Sequence, residues 1–157
     1  MASLAVVLLQ ISLLPALRPL GVVPNIALAW VVLVGVEGAA SNALLVAVAS
    51  GIIIDLASGA NFGLWTGVLV LAALASGAVQ RAGIELMGGL VAGVMVAAGT
   101  LLMTLVVLAG LVNTVGEWPV GALVARFGVE LVLNLLITVG LRRAARLVAV
   151  RPQNEAS

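Results

Sequence analysis

Asp55, Arg126 and Glu130 are charges set inside long apolar runs. A charge in such a place is expensive and by default marks packing or function, with a partner to be found. Around them the reactive inventory is thin. The 157 residues include no His, Lys, Cys or Tyr. Imidazole catalysis, Schiff-base and thiolate chemistry, and most metal ligation therefore lack their usual groups, and no disulfide framework exists. Glu37, Glu85 and Glu117 stand apart from Asp55 and Glu130, with no spacing that suits paired-carboxylate catalysis. The expectation is a protein that is not an enzyme and carries no metal or cofactor.

The intramembrane charges suggest a pairing. Arg126 and Glu130 are four apart and share a helix face. Asp55 precedes the turn formers Ser58 to Asn61, and Arg126 lies about seven residues into the last apolar run, which starts from the same side. At about 1.5 Å per residue their depths match within a few ångström. Asp55 is therefore expected to meet Arg126, with Glu130 on the inner side. Such a pair would fix helix register; it would also suit partner binding or a ligand or ion path. Asn134 and Thr138 continue the polar side of the last run and suit interhelical hydrogen bonds.

The elements that must hold these residues are apolar throughout. Hydrophobic residues make up 64% of the chain, charged residues 8%, and mean hydropathy is +1.34. Soluble domains carry about 25% charged residues, so this chain lacks the polar surface of a water-soluble globule. Apolar runs cover Leu4 to Leu17, Pro24 to Val36, Asn42 to Leu56, Phe62 to Val79, Leu86 to Val112 and Val120 to Leu141. Pro24 suits a first helical turn, and Ser41 or Asn42 suits the cap of the third run. The predicted fold is an all-α integral membrane protein, a compact bundle of about six transmembrane helices, with a single domain over 1–150 and a short cytoplasmic tail over 151–157. A span needs roughly 17–25 apolar residues, so the first three runs are short. The first reads as a retained helix rather than a signal peptide, either a short span or re-entrant.

Arginine sets the orientation. Arg142, Arg143, Arg146 and Arg151 follow the sixth run, which places the C-terminus in the cytoplasm. Six spans then place the N-terminus there too, and turn Ser58–Asn61 and the Glu117–Trp118 segment outward. The arginine cluster reads as a topology signal touching lipid phosphates, or as a dock for a cytoplasmic partner. Small residues recur four apart at Gly59, Gly63 and Gly67, at Ala43 and Ala47, and at Gly89, Gly93 and Ala97. Such stripes let backbones approach closely, within the bundle or against another membrane protein.

The stretch Gly51-Ile52-Ile53-Ile54-Asp55-Leu56-Ala57-Ser58-Gly59-Ala60-Asn61-Phe62-Gly63-Leu64 resembles the hallmark Gly-x-x-x-Asp-Leu-x-Ser-Gly-x-x-x-Gly-Leu of MreD, the rod shape-determining membrane protein family of bacteria. Length, short loops and six apolar runs are similar too. Pro24-Asn25 stands where family members tend to carry Pro-Asp, a departure that removes a charge. The resemblance implies a non-enzymatic scaffold of the cell-elongation machinery in the bacterial cytoplasmic membrane. It would bind MreC and act through it on RodA, its class-B penicillin-binding transpeptidase and MreB, in support of peptidoglycan synthesis and rod shape. Membrane lipids are expected partners and nucleic acid is not. The expected MreC face comprises Gly59, Asn61, Phe62, Gly63 and Gly67. The family is similar in fold to substrate-binding components of energy-coupling-factor vitamin transporters, which supplies the rival reading. A vitamin site needs convergent polar or aromatic groups, and this chain offers only Phe62, Phe127 and three Trp as aromatics.

Overall fold

A backbone drawn from Ala, Val, Leu and Gly, with few polar side chains to satisfy it, closes its hydrogen bonds most completely as a helix. The computed structural model describes residues 6, 8–10, 12, 24–58, 63–83, 88–115 and 120–150, and among them every regular element is α-helical. The helices are α1 (Ile26–Glu37), α2 (Ala40–Ser58), α3 (Leu64–Arg81), α4 (Gly88–Val115) and α5 (Val120–Val150). Val6, Leu8 to Gln10 and Ser12 are helical as well. Four stretches are long and apolar enough to cross a membrane: Ala40–Ala57, Leu64–Arg81, Gly89–Val106 and Val124–Arg146. At 12 residues α1 is shorter, about 18 Å at 1.5 Å per residue.

The short helix is the centre. It packs against α2, α3, α4 and α5. Ala27, Leu28, Ala29, Val31, Val32 and Leu33 are buried, so the helix is enclosed on nearly all sides. Around it, α2 packs on α3 and α4 on α5. The outer faces carry Leu45, Leu71, Leu90, Val124 and Leu136 at more than half exposure, while Ser76, Thr100, Asn134 and Thr138 are buried. Apolar outside and polar inside is the arrangement that lipid selects.

Local chemistry explains the boundaries. Asn25 caps α1 through Oδ1, which accepts from Leu28 N–H at 2.9 Å. Gly38 closes it, donating to the Val34 carbonyl, while its own carbonyl accepts from the Gln80 amide of α3. Helix α2 starts earlier than the expected cap: the Ala39 carbonyl already takes the N–H groups of Asn42 and Ala43, so Ser41 and Asn42 lie in the first turn. Gly63 and Gly83 bracket α3 with φ of +94° and +69°, which only glycine adopts cheaply.

Candidate functional site

Helix α3 begins at a glycine that has no side chain with which to cap it. The cap comes from the preceding helix. Asp55, 2% exposed near the end of α2, accepts from Gly63 N–H at 3.0 Å, Trp65 N–H at 2.9 Å and Thr66 N–H at 3.1 Å. The Thr66 hydroxyl donates to the same carboxylate at 2.7 Å. The negative charge thus rests on the positive end of a helix, and it satisfies the orphan N–H groups of Trp65 and Thr66 in the first turn. Two glycines make the arrangement possible. Gly63 supplies the left-handed turn, and Gly51 lets α3 approach α2 so closely that a Cβ there would run into the Thr66 backbone.

This replaces the expected Asp55–Arg126 pair. Arg126 instead donates from Nε to Glu130 Oε1 at 2.8 Å, one turn along α5. Helix α2 packs on α1 and α3, whereas α5 packs on α4 and α1. Matching depth does not make a pair, because it carries no information about which helices are neighbours. With separate partners the two sites should act independently. In the double mutant D55N/R126Q the losses should add within about 0.5 kcal/mol, read as unfolding free energy in mixed micelles. A coupling above about 1 kcal/mol would restore the direct pair.

A second polar cluster lies at the α1 N-terminus. Asn134 of α5 accepts from Asn25 N–H at 2.7 Å and donates to Thr100 of α4 at 2.8 Å. Gln10 Oε1 accepts from Ala27 N–H at 2.7 Å. Amide oxygens from two distant segments therefore converge on one helix end. The Nε2 of Gln10 and the Nδ2 of Asn25 are buried without a partner among the described residues. The Asn134–Thr138 stripe read from the sequence is divided: Asn134 links three helices, while the Thr138 hydroxyl turns back to the Asn134 carbonyl. Gln10 and Thr100 join this cluster, and the one signal for them in the sequence is that each is a polar residue inside an apolar run.

Of the expected partner face, Gly59, Asn61 and Phe62 lie outside the described residues; so do Glu85, Glu117, Trp118 and Arg151. Gly63 and Gly67 are exposed, and a Cβ at either would meet nothing within 4 Å. Ala43 and Ala47 are fully buried in the central core. Gly89 and Gly93 of α4 instead lie beside Arg142 and Leu135 of α5. At the far end, Arg142 Nε pairs with Glu37 Oε1, tying the C-terminal third of α5 to the end of α1. Among the described residues no group of three His, Cys, Asp or Glu could hold a metal. No family model, curated protein or solved structure matches the chain.

Proposed function

We propose that this chain is a multi-pass membrane scaffold of the MreD type, without catalytic activity, which holds the transmembrane helix of MreC and through it supports RodA, its class-B transpeptidase partner and MreB in cell elongation. In this reading it sits in the bacterial cytoplasmic membrane with six spans, the first run included, and both termini inside. The observation that carries the proposal is the physical unity of the Gly51–Gly63 segment. Gly51 permits close approach, Asp55 caps the next helix and Gly63 makes the turn. Three of the residues that set the resemblance thus have separate tasks where α2 meets α3, and Gly67 beyond them lies on an open outer face.

The face that remains open on α3 runs through Gly67, Leu71 and Leu74. These are spaced at helical intervals, so a residue without a side chain lines up with two exposed leucines, a surface on which a single apolar helix can lie closely. Gly67 is the clean probe because Gly63 carries a positive φ that any side chain would strain. In G67L, recovery of MreC by detergent co-purification from the native host should fall severalfold while the melting temperature stays within about 2 °C. Undiminished recovery would remove Gly67 from the interface. A vitamin retained at stoichiometric level in the same preparation would move the assignment to the transporter component.

A further inference from the structure

Helices α4 and α5 leave a groove between them. Its apolar part, about 470 Å³, runs along Gly89, Gly93 and Ala97 on one side and Leu131, Leu135 and Val139 on the other. From Gly89 to Ala97 it follows about 12 Å of helix. At one end it opens into a second cavity of about 320 Å³, which shares Gly89, Thr138 and Val139 and adds Arg142, Arg143 and Arg146. One continuous depression is therefore apolar along its length and cationic at its mouth.

The cations are arranged for an external anion. Arg142 is taken up by Glu37. Arg143 and Arg146 are exposed, and neither forms an ion pair among the described residues. The guanidinium of Arg142 occupies the space a side chain at position 89 would fill, so glycine there keeps the mouth basic. Arginine binds phosphate oxygens in a bidentate manner and stays charged at any physiological pH.

We propose that this groove is a binding site for an anionic phospholipid, with an acyl chain between α4 and α5 and the phosphate on Arg143 and Arg146. The assignment rests on the membrane reading of the bundle and is independent of the MreC reading. Charge complementarity selects the occupant: a partner helix or a second copy would fill the apolar part but would not require two unpaired arginines at its end. The groove bases its selectivity on charge and its capacity on the missing side chains of α4.

The test uses the full chain in nanodiscs of phosphatidylcholine with phosphatidylglycerol, followed by native mass spectrometry of retained lipid. At about 1 kcal/mol for each arginine near the headgroups, wild type should retain phosphatidylglycerol roughly thirtyfold over phosphatidylcholine. R143Q/R146Q should bring that ratio close to one, and R143K/R146K, which keeps the charge but loses the bidentate fork, should leave it between the two. G93L, whose side chain projects into the groove, should lower retention of both lipids. A ratio near one in wild type, or an unchanged ratio in R143Q/R146Q, overturns the site. Cross-linking of position 93 to itself in a dimer would assign the groove to a second copy and overturn it too. Failure to enter nanodiscs at all would sink the membrane reading together with the site, whereas entry without lipid preference sinks the site alone.

Discussion

D55A will lose about 3–5 kcal/mol of unfolding free energy, the largest loss expected from any single charge removal in this chain. The carboxylate accepts from three backbone N–H groups and one hydroxyl at the start of α3. Hydrogen bonds to a charged group contribute about 1.5–3 kcal/mol each. They share one acceptor and one helix end, so the sum is less than additive, and water reaching the partly buried turn lowers it further. D55N keeps one acceptor oxygen but aims an amide N–H₂ at backbone donors, and should lose about half as much. R126Q is the contrast: it removes a single hydrogen bond to a charged group, from Nε to the buried Glu130 carboxylate, worth about 1.5–3 kcal/mol, against the four that D55A removes. Reversible unfolding in mixed micelles measures all three. A D55A protein within 1 kcal/mol of wild type would show that the α3 terminus does not depend on this cap.

The second large effect belongs to a residue with no functional group. A Cβ at Gly51 would fall on the Thr66 Cα, and 2.8 Å and 2.9 Å from the Thr66 hydroxyl and amide nitrogen. These are mostly backbone atoms, and Thr66 is itself held by Asp55, so no side-chain rotation relieves the contact. Overpacking costs about 1–3 kcal/mol where neighbours can shift; here α3 as a whole must move. G51L should therefore lose about 3 kcal/mol or more, whereas G67L should be neutral. With alanine the signs should split. G67A should gain up to about 1 kcal/mol from helix propensity, and G51A should still lose about 1 kcal/mol or more. Equal stability of G51A and G67A would refute the close approach of α2 and α3.

The sequence made the helices legible because hydropathy reports runs and polar breaks directly. The expected run from Phe62 to Val79 and the observed α3 from Leu64 to Arg81 differ by two residues at each end. What hydropathy cannot report is lateral order. Val31 and Val32 are enclosed while Val124 and Val132 face outward, and nothing in a valine distinguishes the two. For the same reason depth alone pairs Asp55 with Arg126: it carries position along the axis without position around it. The Asp55 cap had one local signal: a helix starting at Gly63 has no capping side chain of its own, so an acceptor had to come from nearby. Gly51 and Gly67 look alike in the sequence, and only the packed structure separates the one that seats a neighbour from the one that is open.

The Asn25–Asn134 hydrogen bond has a consequence in time. The two residues are 109 positions apart, so at about 5–20 residues per second of synthesis the start of α1 waits roughly 5–20 s for the acceptor that α5 supplies. During that interval α2, α3 and α4 are made in turn, and the helix destined for the centre still lacks α5 and the acceptor it carries. The nascent chain must therefore hold α1 provisionally, and the bundle can close around it only after its last helix has been made.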